Sequence, residues 1–149
     1  MKITYLLLLI GSVITSSDNY FFDIIYNKEY EVDVNKFYPY NYIPANAKYY
    51  FTAKVEQDEK MQIEIKVLKN AIINFKLNIC EFYFRPSNMQ ILYGHDLCRN
   101  VLLGKKDRSD DNYDIYLLDF EKIKDVNYLV IHIENFLALQ YLSINLSKK

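Results

Sequence analysis

Cys80 and Cys98 are the two cysteines of this 149-residue chain and its first candidates for covalent chemistry. His95 and Asp96 lie just ahead of Cys98, a grouping that suits a thiolate activated by a neighbouring base. A bridged cysteine offers no thiolate, so a disulfide and a nucleophile exclude each other here. His132 and Glu134 stand two residues apart, the spacing of one strand face, but a zinc site needs three or four protein ligands. Asp107, Asp110, Asp111 and Asp114 crowd one polar stretch with Asn112, and hard oxygen ligands on one loop suit calcium. The EF-hand register fails there: the sixth position is Asn112 rather than glycine, and the twelfth is Leu118. Lys105, Lys106 and Arg108 offset the charge, so a solvated loop without a metal is expected. A hydrolase on this chain would draw on Glu64, Glu81 or Glu134, with two carboxyls converging in a cleft and their pKa values pushed apart.

Aromatic residues offer a different chemistry. Tyr38, Tyr40 and Tyr42 alternate with Pro39 and Asn41, and Pro44 follows. Tyrosines on one side of a proline-stiffened segment present flat apolar faces with polar tips, which suit sugar rings or a protein partner. The competing reading is that they pack over the end of the domain. Asn145-Leu146-Ser147 is an N-glycosylation sequon near the C-terminus, with Asn145 alternating opposite Ile144 and Leu146. The chain has no GxSxG, HExxH or P-loop sequence, and its three glycines leave little for a phosphate-cradling loop. No cofactor is expected.

The compartment decides how the cysteines read. Lys2, the apolar run from Ile3 to Ile14 and the small polar residues Thr15, Ser16 and Ser17 have the layout of a secretory signal peptide. The apolar run is shorter than the roughly 20 residues of a membrane span. Residues 1–17 are therefore read as a cleaved signal and 18–149 as one secreted domain. In an oxidising compartment the Cys80–Cys98 pair is expected to be bridged, closing a loop of about 18 residues. The stretch from Tyr128 to Leu146 carries His132, Glu134, Asn135, Gln140 and Asn145, so no membrane span is expected there. A formal net charge of −1 gives no basic excess to draw the chain onto nucleic acid.

Period-two alternation sets the fold class. Tyr30, Val32 and Val34; Tyr49, Phe51, Ala53 and Val55; Met61, Ile63, Ile65 and Val67; Ile73, Phe75, Leu77 and Ile79; and Leu129, Ile131 and Ile133 each alternate with polar or outward residues. Each run reads as a half-buried antiparallel strand. Gln57 to Lys60 reads as a hairpin turn, Lys69-Asn70 as a second turn, and Gly104 to Asn112 as a long loop. Phe120 to Lys124 reads as one helical turn. The apolar phase slips after Ile79, where Phe82 and Phe84 take it over, and a bulge at Cys80-Glu81 would account for it. About eight or nine strands point to a single antiparallel β-sandwich, jelly-roll-like.

The runs Tyr49 to Val55 and Met61 to Ile65 resemble the early strands of pre-peptidase C-terminal-type domains, and Tyr128 to Ile133 with Tyr141 to Leu146 resembles their closing strands. The resemblance implies a small secreted sandwich with a binding or accessory role. This chain departs from the pattern in having no glycine between the closing strands.

The expected function is a secreted, non-catalytic binding module for an extracellular glycan or protein. A secreted hydrolase with dispersed carboxylates is the first alternative. A structural protein assembling through its edge strands is the second, against which Lys54, Lys66 and Lys76 on outward faces argue mildly. The sequence leaves the oligomeric state open.

Overall fold

The computed structural model describes residues 19–37, 39–55, 60–93, 98–122 and 126–149. The signal-like segment 1–17, Tyr38, the turn residues Gln57 to Glu59, and His95-Asp96 lie outside them. Ten strands are described: β1 (Asn19–Ile24), β2 (Tyr30–Glu31), β3 (Lys48–Lys54), β4 (Lys60–Leu68), β5 (Phe75–Phe82), β6 (Cys98–Val101), β7 (Arg108–Ser109), β8 (Tyr113–Glu121), β9 (Tyr128–Asn135) and β10 (Leu142–Lys148). A short helix, α1 (Asn88–Tyr93), sits between β5 and β6. The strands form two five-stranded sheets, β1-β3-β9-β5-β6 and β2-β10-β4-β8-β7. The fold is thus an all-β sandwich. Its pairs are antiparallel apart from β1 with β3, which run parallel.

The alternation places the core. Phe51, Ile131, Leu77 and Ile79 from the first sheet meet Ile63, Ile65, Leu142 and Ile144 from the second, all but excluded from solvent. Removing this apolar area from water is what holds the two sheets together. Turns fall where left-handed backbone is needed: Asn27, Asn46 and Asn70 have φ of 66°, 61° and 66°. Asparagine tolerates that region better than other residues with a Cβ.

Several local expectations are corrected. β3 and β4 do not form a hairpin; they lie in different sheets. Two alternating strands joined by a turn can each bury a face without pairing to one another. Val34 is not in a strand but opens a 3-10 turn, Val34–Lys36, because the Asp33 carboxylate accepts from the Asn35 amide at 2.9 Å. Phe120 and Glu121 continue β8 rather than turning into a helix. No bulge exists at Cys80-Glu81, since β5 keeps an unbroken register with β9 from Phe75 opposite Asn135 to Phe82 opposite Tyr128. The slip in apolar phase has another cause. α1 covers the outer face of the first sheet there, and Ile91 joins Tyr50, Cys80, Phe82 and Val130 in a second small core. The end of β5 is therefore buried on both faces.

Candidate binding surface

Three loops meet at the end of the sandwich where β4 and β9 finish and β3, β5 and β10 begin. They are residues 39–47, 69–74 and 136–141. Their meeting is fixed by Asn135, the last residue of β9, which is 2% exposed. Its side-chain oxygen accepts from the Asn74 amide at 2.7 Å, and its side-chain nitrogen donates to the Leu137 carbonyl at 2.7 Å. Its backbone carbonyl accepts from the Asn46 amide at 2.9 Å. A buried amide with its groups satisfied costs nothing unpaired and leaves the three loops one mutual arrangement. Ile43 and Leu139 exchange backbone bonds at 2.7 and 2.9 Å, so residues 39–43 run alongside the 137–141 segment.

The loops hold apolar side chains outward. Ile72 is 71% exposed, Phe136 66% and Leu137 43%. Ile72 and Leu137 line an open hollow of about 340 Å³, which Leu68, Ala71, Leu139 and Tyr141 help to close. Tyr141 donates to the Glu31 carboxylate at 3.3 Å and packs on Tyr113 with ring centroids 4.7 Å apart. Burial, with Glu31 beside it, pushes the Tyr141 hydroxyl up to about 12, so it stays neutral at any physiological pH. Tyr40 and Tyr42 belong to the same end, about two-fifths exposed, with ring centroids 5.4 Å apart. The structure thus brings two of the three candidate tyrosines together, and Tyr38 lies outside the described residues.

A second polar centre pins the neighbouring loops. Asp114, 3% exposed, accepts from the Ser109 hydroxyl at 2.6 Å and the Asn70 amide at 2.9 Å, and Lys106 stands 3.6 Å away. These donors, Ser109 first, hold its carboxyl below the usual range. Asp110 accepts from the Asn112 and Tyr113 amides at 2.9 and 2.7 Å, which lowers its carboxyl too. Asp107 pairs with Arg108 at 2.8 Å. Asp110 and Asp114 thus build the turn, Asp111 is exposed, and among the described residues no three His, Cys, Asp or Glu side chains group as metal ligands.

The remaining candidates are dispersed. Glu64 lies on the outer face of the second sheet, where Arg108 reaches it at 3.3 Å. Glu81 points between the sheets, 4.0 Å from Arg99. Glu134 lies on the outer face of the first sheet, opposite Lys48 and Lys76. His132 shares that face and stacks on Tyr50 at 4.5 Å. Asn145 faces outward from β10 opposite Glu64, half-buried. Cys80 and Cys98 form a disulfide directly across β5 and β6.

Ile72, Phe136 and Leu137 were not legible as site residues. The available signal was Phe136-Leu137-Ala138-Leu139, an apolar run in a connection that composition alone would make polar.

No family model matches the chain, and neither does any curated protein sequence. Among solved structures it is similar to the pre-peptidase C-terminal domain of a collagenase from Bacillus anthracis, at 8% identity and a TM-score of 0.46, over 87% of this chain and 96% of that one. It is also similar to CorA, a surface-associated copper-binding protein of Methylomicrobium album BG8, at 5% identity and a TM-score of 0.49, over 89% of this chain and 100% of that one. The resemblance expected from the strand pattern is thus present as a likeness of fold, and at these identities it assigns no role to any residue.

Proposed function

We propose that the protein is a small binding module of an oxidising, extracellular compartment, and that the loop end built on Asn135 takes a protein ligand. One observation carries this: Ile72, Phe136 and Leu137 are held in water on the loop end that also carries Tyr40 and Tyr42, and Ile72 and Leu137 line an open hollow there. Exposed apolar side chains on a rigid support gain free energy only when something covers them. Tyrosines with aliphatic neighbours match the composition of protein interface centres. A sugar site would ask for open ring faces ringed by planar polar groups, whereas Ile72 and Leu137 offer neither. The disulfide supports the compartment, since such bonds persist outside reducing cytosol.

The test is a paired screen on arrays of extracellular proteins and of glycans, with the full chain and a Phe136→Ala, Leu137→Ala variant. The expected outcome is a protein hit whose affinity falls roughly 30-fold or more in the variant, the loss typical of interface anchors. A glycan hit, or a protein hit indifferent to both substitutions, would overturn the reading. Circular dichroism of the variant checks that the loss is local.

A further inference from the structure

We propose that two copies of this chain associate through the free edge of β1, with Phe21 against Phe21 across a two-fold axis. Among the described residues the sandwich has four edges: β1 and β6 in the first sheet, β2 and β7 in the second. Natural sheets blunt their edges by shortness, charge or covering. β2 and β7 are two residues each. β6 has four, carries Arg99, and is tied to β5 by the disulfide. β1 has six residues and neither lysine nor proline. Its one charged residue, Asp23, is matched by Arg85. Among the described residues only β3 pairs with β1, and none pairs along its second edge. The lysines that argue against edge assembly, Lys54, Lys66 and Lys76, sit on β3, β4 and β5, and none of these strands is an edge.

The occupant follows from an aromatic row. Phe21, Tyr50 and His132 stand directly opposite one another on β1, β3 and β9. Tyr50 stacks on His132 at 4.5 Å and 14°, and Phe21 on Tyr50 at 5.1 Å and 15°. Those spacings match the roughly 4.8 Å between neighbouring strands. Each ring therefore turns its faces along the row towards the next strand. The row stops at Phe21, whose second face turns to the open edge.

An added strand that continues the row must bring a parallel aromatic ring at the same height, and a second copy does. In an antiparallel β1–β1 ladder centred on Phe21, Tyr20 meets Phe22 and Asn19 meets Asp23. Opposed residues share a face, so Tyr20 and Phe22 stay on the core side. Centring on Phe22 would set Phe21 against Asp23, and centring on Asp23 would oppose two carboxylates, which is unfavourable. The Phe21 register alone extends the rings, and it closes as a two-fold dimer in which the two first sheets become one.

Sedimentation of the full chain is expected to give a dimer that Phe21→Lys converts to monomer. Register is read by cross-linking. Cys80 and Cys98 are joined, so Phe21→Cys supplies the one free thiol, and oxidation should link most of the chain into dimers on a non-reducing gel. Asn19→Cys lies on the same face, but this register leaves its two thiols about 14 Å apart, out of bonding reach. A monomeric parent chain, or equal cross-linking of both variants, would overturn the proposal. So would a dimer that forms no Phe21→Cys link. If Phe21→Lys fails to fold, the two cysteine variants decide.

Discussion

Asp114 shows how one side chain organises this protein. It gathers a hydroxyl, a backbone amide and an ammonium from two loops, and all three favour its charged form. A carboxyl whose folded pKa is lowered stabilises the fold above its unfolded value, near pH 3.9, and loses that contribution as the pH falls through the folded value. The expectation is that Asp114→Asn lowers the urea midpoint near neutral pH, and that the gap to the parent narrows in acid, as the pH falls from the unfolded value through the lowered folded one. An equal gap at both pH values would mean that shape rather than charge is what Asp114 contributes. Asn135 does the corresponding work without a charge, so its contribution is independent of acid. Neither residue stands out in the sequence. An aspartate in a polar loop and an asparagine after a strand look like ordinary solvated residues until their neighbours from distant segments are in place.

The elements owe their ends to local chemistry and their pairing to distant contacts. α1 begins with a capping box: the Ser87 hydroxyl accepts from the Gln90 amide at 3.2 Å, and the Gln90 side chain accepts from the Ser87 amide at 2.8 Å. The signal Ser87-Asn88-Met89-Gln90 was present in the sequence, hidden by its six-residue length. β6 is the shortest strand of the first sheet, an edge strand bridged to β5 by the disulfide. Changing Cys80 and Cys98 together to Ala should cost about 3 kcal/mol, the chain-entropy value for a loop of about 18 residues. Hydrogen exchange should show β6 amides losing protection well before those of β9. Uniform loss across the sheet would mean that the bond does not act through β6.

Across the whole molecule, one apolar core joins both sheets, and β9 runs through the middle of the first. Ile131 is wholly buried at its centre. Ile131→Ala should cost about 2–5 kcal/mol, the range for emptying a packed core site. Thermal unfolding should then shift down with probes at the Asn135 end and at the α1 end moving together, as a single cooperative unit requires. Two separate transitions would show that the small core under α1 is a unit of its own. Placement matters for function in the same way. The residues exposed at the loop end, Ile72, Phe136 and Leu137, are not those of the β1 edge row, which opens on Phe21 opposite Tyr50, two residues into β3 from Lys48.

The sequence by itself determined the class of this protein. Period-two alternation dictates strands with one buried face, because successive side chains point to opposite sides, and enough such strands must close on one another as a sandwich. The two cysteines were readable as a bridge for a different reason, the oxidising compartment that the signal-like segment 1–17 implies. Tertiary structure alone decided which strands pair, since alternation fixes the face a strand buries and not its neighbour. It alone decided that the phase slip after Ile79 is burial by a helix, and that Phe136, Leu137 and Ile72 stay in water. Exposure is a property of what lies above a residue, and here that is set by segments far away in the chain.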